Sequence, residues 1–390
     1  MKNNFKKTDI PLSSPDITEP DKQSIASVLE TPRLSLGPRL EKFEKKFADY
    51  IGSKFAVAVN SGTSGLHLCV RALGIIDADL VITTPFSFIS SANCMLFERA
   101  KPVFVDIDEK SLNIDVNGIY DKIKELQKRD SNLKAILPVH IFGRPCEMDE
   151  IMAMASAFGL RVVEDACEAL GAEYSTENTW KKVGTFGECG VFAFYPNKQM
   201  TTGEGGMITT DDENIYGLCR SMRNQGRSDS GGWLQHERLG FNYRISDINC
   251  ALGIAQLERI DEILAKREKV AGLYNVRLKD VEEIILPHSE ENKRISWFVY
   301  VVRLQDNYTR EDRDRILGKL KEKGIGCSNY FSPIHLQPYY RRSFGYKEGD
   351  FPVTEKVSQR TVALPFYNNL EEKEIDYVCE NLINIVKNIN

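Results

Sequence analysis

Short apolar runs alternate with amphipathic stretches between about residues 50 and 225 of the chain. Such runs are typical of buried strands, and they lie at residues 55–59, 80–83, 102–105, 135–139, 161–164, 191–194 and 207–210. Helical periodicity occurs between several of them, at 64–73, 115–127 and 148–158. Apolar strands that alternate with helices predict an α/β fold, in which a mostly parallel central sheet is flanked by helices on both faces.

The pattern changes after about residue 225. A stretch rich in serine and glycine around 228–233 predicts a flexible loop, and Ser246 is predicted to cap a long helix. Further on, strands are expected at 297–302 and 326–330, and helices at 310–323 and 371–387. We therefore expect a large α/β domain over residues 1–264, which includes the N-terminal segment, and a smaller C-terminal α+β domain over 265–390.

The composition excludes several classes of protein. The 390 residues carry 51 basic and 56 acidic side chains, a net charge of −5, so no general attraction to nucleic acid or to an anionic membrane is expected. No stretch approaches the ~20 apolar residues of a membrane span, and the basic N-terminus lacks the apolar region of a secretory signal. We therefore expect a cytoplasmic protein.

Cysteines and histidines are scattered along the chain. None of the nine cysteines forms a C-x-x-C pair, which argues against a zinc knuckle and a disulfide framework. The five histidines show no paired spacing, so we expect no metal site. His140 and His335 each follow a proline-bearing segment, and an isolated histidine there more often has a structural role.

Polar and aromatic residues follow several predicted strands, at the points where the chain leaves the sheet. They lie at residues 60–63 and 85–88 and at Asp106, His140 and Asp165. Ligands of open α/β sheets bind beyond the carboxyl ends of the strands. The sequence therefore predicts that these residues are candidates for one pocket.

Lys198 lies in a stretch that restricts its position. The apolar run 191–194 predicts a buried strand, which Pro196 ends because proline cannot donate to a sheet ladder. Three glycines between 203 and 206 allow tight turns before the next strand. This arrangement would hold one amine on a stiff connection between two core strands. The alternative is a solvated lysine beside a hairpin, since lysine is mostly exposed in proteins.

The turn after the first strand, Asn60-Ser-Gly-Thr-Ser64, leads into a predicted helix. Backbone N–H groups and hydroxyls at a helix N-terminus form an anion site, from which a phosphate dianion gains most. Simple capping of the helix by Ser61 or Thr63 is the alternative. No G-x-x-x-x-G-K-[ST] or G-x-G-x-x-G sequence accompanies the turn, so a nucleoside triphosphate or a dinucleotide is not the expected ligand.

Asp165 and an aromatic pair complete the candidate pocket. The Asp165 carboxylate could face a ring nitrogen and keep it protonated, and Phe86 or Phe88 could stack on a planar ring. Local roles also remain open. Asp165 and Glu168 have the spacing of a capping box, and both phenylalanines could belong to the core.

A phosphate-binding turn, an aromatic platform, an aspartate and a lysine at successive strand ends fit one cofactor, pyridoxal 5′-phosphate (PLP). The lysine forms a Schiff base with PLP and afterwards moves protons. The aspartate keeps the pyridine nitrogen charged, so that the ring accepts electrons. The sequence thus predicts a PLP enzyme with Lys198 and Asp165 as its catalytic residues.

These motifs resemble the DegT/StrS family of nucleotide-sugar aminotransferases, which has PLP fold type I. The most specific element is Lys198 followed by Gly-Glu-Gly-Gly at 203–206, with Glu-Asp-Ala upstream at 164–166. The resemblance runs nearly from end to end, and its blocks lie at 34–38, 60–64, 101–106, 164–166, 198–206, 240–244, 251–258, 333–339 and 364–365.

The resemblance implies roles for individual residues. Lys198 matches the Schiff-base lysine, Asp165 the partner of the pyridinium and Phe88 the aromatic residue that stacks on the ring. Gly62 and Thr63 match the phosphate-binding turn.

Other roles implied by the resemblance concern the second subunit and the substrate. Asn242 matches an asparagine that reaches the phosphate from the neighbouring subunit, which implies a homodimer with shared active sites. Two positions depart from the family: Ala193 replaces a frequent phosphate-binding serine, and Glu168 a frequent glutamine near the phenolic oxygen of PLP. Glu168 is nevertheless a candidate cofactor contact, and Tyr330 and His335 are candidates for substrate binding.

The implied activity is transfer of an amino group, usually from L-glutamate, to a keto-deoxysugar linked to a nucleoside diphosphate. We expect C4 amination rather than C3, in the biosynthesis of a cell-surface polysaccharide or a related glycan. Lys198 favours transamination, because some members of the family carry histidine there and are sugar dehydratases. A non-catalytic PLP-binding regulator and a PLP-dependent sugar dehydratase or eliminase remain alternatives.

Overall fold

The structure is a computed structural model that describes residues 9–129, 131–177, 179–228 and 234–389. Its helices within these residues are α1 (Glu19–Leu29), α2 (Pro38–Ile51), α3 (Gly62–Ala72), α4 (Ser90–Leu96), α5 (Val116–Gln127), α6 (Met148–Phe158), α7 (Glu213–Arg223), α8 (Asp247–Glu258), α9 (Ile260–Leu278), α10 (Arg310–Glu322), α11 (Pro338–Phe344), α12 (Pro352–Ser358) and α13 (Glu372–Lys387). Most of the predicted loop at 228–233 lies outside the described residues.

The strands form one large sheet and two small ones. In chain order they are β1 (Phe55–Val59), β2 (Leu80–Thr83), β3 (Lys101–Phe104), β4 (Leu133–Ile136), β5 (Arg161–Asp165), β6 (Glu173–Thr176), β7 (Thr179–Lys182), β8 (Cys189–Ala193), β9 (Gly206–Thr210), β10 (Ile284–Ile285), β11 (Lys293–Arg294), β12 (Tyr300–Leu304) and β13 (Thr361–Leu364). The large sheet has seven strands in the order β1-β9-β8-β5-β4-β2-β3.

Five neighbouring strands of the large sheet, from β8 to β3, are parallel, which confirms the predicted mostly parallel α/β sheet. Both of its faces are covered. Along β1, Val57 and Val59 pack into one buried cluster, whereas Ala56 and Ala58 pack into a cluster on the opposite face. This alternation follows from the two-residue period of a strand, and burial of both faces explains why these strands have continuous apolar sequences.

β9 runs antiparallel to both β8 and β1. The cause is the length of its connection to β8, which consists of residues 194–205 and contains no helix. A parallel return would need a crossover that spans the sheet, usually through a helix, whereas a short loop can only turn the chain back beside its own strand. The predicted strand at 207–210 is therefore present, but its direction follows from the connection.

The C-terminal part of the chain builds a second core. The three-stranded sheet β10-β12-β13 packs with α9, α10 and α13 around buried aromatic and aliphatic side chains such as Tyr274, Tyr300 and Leu382. Ile10 from the N-terminal segment also packs into this core, and its carbonyl accepts the Gly326 N–H. α9 continues across the predicted boundary between residues 264 and 265, so that boundary stays a prediction.

Three local predictions differ from the structure. Residues 326–330 do not form a strand: Ser328 alone bridges to Ala363, and the Gly326 N–H donates instead to the Ile10 carbonyl of the N-terminal segment. The long helix predicted from Ser246 is divided into α8 and α9, because Arg259 leaves the helical conformation with φ −120° and ψ 21°. The hairpin β6–β7 was not predicted, because its strands are polar and half-buried.

The sequence predicts neither a disulfide framework nor a membrane span. The cysteines at all nine positions are free thiols, eight of them buried. Within the described residues, no helix is both long and apolar enough to cross a membrane.

Gly206, the first residue of β9, allows this strand to lie directly against the turn after β1. A Cβ atom at position 206 would lie 2.7 Å from the carbonyl carbon of Ser61 and 2.8 Å from the amide nitrogen of Gly62. Both contacts are with backbone, so neither can be relieved by rotation of a side chain.

We therefore predict that Gly206→Ala lowers the free energy of unfolding by about 1–3 kcal/mol, the cost typical of overpacking. Gly217→Ala in α7 is the control, because a Cβ atom there meets no atom within 4 Å. It should leave stability unchanged or raise it by about 0.4–1 kcal/mol. Urea unfolding of both variants checks this, and equal midpoints would contradict the close approach.

Candidate active site

A cavity of about 530 Å³ lies at the carboxyl edge of the large sheet. Its walls come from the segments that follow β1, β2, β4, β5 and β8, from the residues before β9, and from three aromatic residues of the C-terminal part, Phe298, Tyr330 and Phe331. The predicted pocket residues 61–63, 87–88 and Asp165 line it. Asp106 and His140 do not line it, although each follows a strand.

Asp106 and His140 have structural roles instead. The Asp106 carboxylate accepts the N–H groups of Val353 and Thr354 and so holds the start of α12. His140 is buried, accepts the Cys146 N–H at Nδ1 and approaches a Glu164 carboxylate oxygen to 3.2 Å through Nε2. Sequence reasoning placed both residues at the correct edge of the sheet, but their side chains are occupied by neighbouring segments.

Lys198 lies in the connection between β8 and β9, and its amine points into the cavity. Its backbone N–H donates to the Tyr195 carbonyl at 2.9 Å, which closes a tight turn after the strand. The Nζ atom lies 3.6 Å from Oε1 of Glu168 and 3.8 Å from the centre of the Phe298 ring. Only 13% of the side chain is exposed. The alternative of a solvated lysine does not match this placement.

Asp165 is the last residue of β5 and is buried at the cavity wall. Its Oδ2 accepts the Ser91 hydroxyl at 2.7 Å, and its Oδ1 accepts the Cys167 N–H at 3.1 Å. The residues after it form turns, not a helix, so the alternative of a capping box with Glu168 is wrong. No basic side chain among the described residues forms an ion pair with Asp165, which leaves its charge available for a cationic ligand.

The turn after β1 begins helix α3 at Gly62. The Ser61 hydroxyl accepts the Ser64 N–H at 3.1 Å, so the predicted helix cap is present. Both Gly62 and Thr63 line the cavity at the N-terminus of the helix. A Cβ atom at Gly62 would lie 2.8 Å from the Cys167 sulfur and 2.9 Å from Cβ of Ala193. Glycine therefore lets the helix start close to the strand ends, where its N–H groups can bind an anion.

Phe86 and Phe88, the two candidates for stacking on a planar ring, have different environments. Phe86 is fully buried and packs edge-on against the rings of Phe142 and Phe331. Phe88 lines the cavity and is 61% exposed. Phe86 is therefore a core residue, and Phe88 offers an open aromatic face.

Glu168 also faces the cavity and is only 6% exposed. Its Oε2 accepts the Phe142 N–H at 3.0 Å, and its other oxygen lies near the Lys198 amine. Burial raises the pKa of Glu168, and the nearby Lys198 charge opposes that effect. Glu168, which the sequence predicts as a candidate cofactor contact, thus lines the cavity and faces Lys198.

The remaining predicted residues are divided between the cavity and other places. Tyr330 lines the cavity. His335 does not: it is fully buried, and its Nε2 lies 2.9 Å from the Glu355 carboxylate, so the structure corrects its prediction as a substrate contact. Asn242 is exposed and lies outside the cavity of its own chain, where its carbonyl oxygen approaches Nδ2 of Asn60 at 3.5 Å.

Sequence reasoning missed three residues that shape the site. Ser91 holds the Asp165 carboxylate, and Phe298 lies against the Lys198 amine. Arg267 of α9 is buried, and its guanidinium donates to the carbonyls of Trp297, Phe298 and Asn197 and to Oδ1 of Asn368. No motif marks these residues, because each acts through a partner that is distant along the chain.

The buried guanidinium of Arg267 joins the residue before Lys198 to the C-terminal part of the chain. Its Nη2 lies 3.3 Å from the Asn197 carbonyl and 2.9 Å from that of Phe298. Burial lowers the pKa of Arg267 to about 9, which leaves it charged at neutral pH. One side chain thus holds both the lysine-bearing turn and the aromatic ring that contacts the lysine.

Within the described part of the chain, no group of three or more His, Cys, Asp or Glu side chains could hold a metal ion.

Comparison with known proteins identifies close relatives over nearly the whole chain. Residues 15–383 match the model of the DegT/DnrJ/EryC1/StrS aminotransferase family. The chain is 37% identical to the spore coat polysaccharide biosynthesis protein SpsC of Bacillus subtilis, with 97% of each chain covered. It is also 37% identical to the GDP-perosamine synthase of Caulobacter vibrioides, over 96% of this chain and 97% of the relative.

A solved structure is similar as well. The PLP form of Spr1654 from Streptococcus pneumoniae superposes with a TM-score of 0.90 at 25% identity, and the match covers 98% of this chain and all of the other. The predicted fold type is therefore confirmed.

We predict that Arg267→Met lowers the free energy of unfolding by about 2–4 kcal/mol, because several buried carbonyls lose their donor. The matched control is Arg294→Met: this arginine is exposed, bonds Glu173 and lies over Trp180, and its loss should cost less than about 1 kcal/mol. Urea unfolding of the cofactor-free protein measures both. A change at Arg267 no larger than that at Arg294 would contradict the role of Arg267 in joining the two parts.

Proposed function

The chain belongs to the DegT/DnrJ/EryC1/StrS aminotransferase family, and from this premise we propose that it uses PLP to transfer an amino group from L-glutamate to a nucleotide-linked keto-deoxysugar. The observation that carries the proposal is the placement of the Lys198 amine in the cavity at the strand ends, which Asp165 also lines. The relatives are sugar aminotransferases and polysaccharide-biosynthesis proteins, which supports a sugar substrate.

The residues of the cavity fit PLP. The volume of the cavity, about 530 Å³, lies within the range of small-molecule sites. Asp165 is a buried carboxylate without a basic partner among the described residues, so a cationic ring nitrogen would balance its charge. The N-terminus of α3 offers N–H groups for the phosphate, and the open face of Phe88 offers a surface for the ring.

When bound, PLP supplies an electron-accepting ring that stabilises negative charge on the carbon next to the amino nitrogen. Lys198 would hold the cofactor covalently through Nζ and move a proton as general acid and base. Asp165 would keep the ring nitrogen protonated, and Ser91 orients its carboxylate. Gly62 and Thr63 would bind the phosphate, with the Thr63 hydroxyl held 2.7 Å from that of Ser90.

The aromatic residues from the C-terminal part would exclude water from the reacting atoms. Phe298, Tyr330 and Phe331 line the cavity, and the centre of the Phe298 ring lies 3.8 Å from Nζ of Lys198. A dry site strengthens the attraction between the fixed charges of the protein and those that develop during reaction. We further propose amination at C4 rather than C3, and a place in the biosynthesis of a cell-surface polysaccharide or related glycan.

We predict that the purified protein loaded with PLP converts glutamate to 2-oxoglutarate and adds an amine to one member of a panel of keto-sugar nucleotides. Lys198→Ala should abolish both the covalent cofactor link and turnover, because no other lysine of the described residues lines the cavity. Lys321→Ala, an exposed position in α10, should behave as the wild type. Product mass and mass spectrometry of the borohydride-reduced protein measure these outcomes.

The same experiment separates the alternatives. A PLP-binding regulator would bind the cofactor but release no 2-oxoglutarate. A dehydratase or eliminase would give a product that has lost water instead of gaining an amine. Position-specific NMR of the product decides between C4 and C3.

We also propose a homodimer in which each active site uses residues of both subunits. Asn242 is exposed and outside the cavity of its own chain, as expected of a residue that serves a neighbouring site. The large exposed fraction of Phe88, at the mouth of the cavity, supports coverage by a second subunit.

Shared sites predict complementation between two disabled variants. Lys198→Ala and Asn242→Asp should each be impaired as homodimers, the latter because its carboxylate would repel a phosphate. In a mixed dimer, one of the two sites regains both native residues, so equal mixing should restore about a quarter of wild-type activity in a symmetric dimer. Activity assays after joint refolding measure this, and no recovery would contradict shared sites.

A further inference from the structure

Glu168 and Lys198 form a buried pair of opposite charge at the centre of the cavity. The distance from Oε1 to Nζ is 3.6 Å, and the two side chains are only 7% and 13% exposed. The second carboxylate oxygen of Glu168 accepts the Phe142 N–H at 3.0 Å. The carboxylate therefore has one cationic neighbour and one neutral hydrogen-bond donor.

The other groups that face Glu168 cannot stabilise its negative charge. Asp165 is itself an acid, and its proximity raises the pKa of Glu168 further. Burial raises the pKa of both Cys167 and Tyr330, so both are neutral near pH 7. Among the described residues, no basic side chain other than Lys198 forms an ion pair with Glu168.

An isolated carboxylate in a buried site is costly, whereas a protonated carboxyl group is not. The charge of Glu168 therefore depends on that of Lys198. As long as Nζ carries its positive charge, the ionised carboxylate is compensated. Once Nζ is neutral, only the single amide of Phe142 remains, and protonation becomes favourable.

We propose that Glu168 is the proton acceptor of Lys198, so that the carboxyl group becomes protonated whenever the amine loses its charge. In this transfer an N–H bond at Nζ breaks and an O–H bond forms at Oε1. The bonding electron pair stays on nitrogen, and the total charge of the pair remains zero. The amine can thus become nucleophilic without release of a proton into solvent.

Only an acid at position 168 can accept this proton. A glutamine could keep the Phe142 contact but could not take up the proton. Glu168 and Lys198 already form this pair in the cofactor-free protein. The inference can therefore be tested without cofactor and does not depend on the proposed substrate or on turnover.

The test compares cofactor-free Lys198→Met with the double variant Lys198→Met/Glu168→Gln. Methionine removes the charge and keeps an apolar stem beside Phe298. In the single variant, the pKa of Glu168 should lie above its value of about 4.3 in the unfolded chain. A carboxyl group whose pKa is raised by folding stabilises the protein at low pH, and this contribution is lost as the pH rises.

The melting temperatures of the two proteins should therefore agree at and below about pH 4, and that of the single variant should fall below that of the double variant as the pH rises to about 8. Asp165 and all other titrating groups are common to both proteins and cancel. Any difference between the two proteins at low pH, where the side chain at position 168 is neutral in both, measures the difference in packing between glutamic acid and glutamine. Parallel curves over the whole range would overturn the proposal.

Infrared spectroscopy shows directly whether the Glu168 carboxyl group is protonated. Near neutral pH, Lys198→Met should show the C=O stretch of a protonated carboxyl group, which shifts in D₂O and is missing from the double variant. The wild type should lack this band while Lys198 is charged. Lys198→Ala, measured in the same way, should reproduce the result if methionine disturbs the cavity. Absence of the band from both single variants would show that Glu168 stays ionised, and would overturn the proposal.

Discussion

The short connection between β8 and β9 is the constraint on which the site depends. Because residues 194–205 contain no helix, the chain must turn back beside β8, and β9 enters the sheet against the direction of β8 and β1. Lys198 lies at this turn, at the edge where the parallel strands end. Gly206 then brings β9 against the backbone of Ser61 and Gly62. One connection thus places the amine and the helix N-terminus on opposite sides of the same cavity.

Among the described residues that line the cavity, no basic side chain pairs with the Asp165 carboxylate. Asp165 and Glu168 are buried acids, and Lys198 is the basic side chain that lines the cavity with them. Glu168 has Lys198 as its partner, whereas Asp165 has only a hydroxyl and an amide donor. A ligand with one positive ring atom and a negative phosphate would complement both Asp165 and the N-terminus of α3. This complementarity is the physical reason for which we propose PLP as the ligand of the cavity.

The C-terminal part of the chain both lines the cavity and helps to position Lys198. Arg267 binds carbonyls on both sides of the cavity, and Phe298 contacts the lysine itself. The position of the amine therefore depends on a core that is built mostly from residues after 260. Loss of packing in that core should therefore change the position of the Lys198 amine, although no residue of the core takes part in the proposed reaction.

The sequence by itself determined the α/β class, most strands and helices of the large sheet, and the candidate residues of the cavity. Strand periodicity and the glycine-rich stretch after Lys198 are local signals, and the rule that ligands bind at strand ends needs only the strand assignments. The structure brings Lys198, Asp165, Gly62, Thr63, Phe88 and Glu168 to one cavity. Their roles toward a cofactor stay predictions.

Only the tertiary structure decided which of the equivalent strand-end residues enter that cavity. Asp106 and His140 follow strands as Asp165 does, but later segments of the chain occupy their side chains. His335 is buried against Glu355, and Arg267 and Ser91 act on residues 30 or more positions away along the chain. Such contacts depend on long-range packing, which leaves no periodic signal in the sequence.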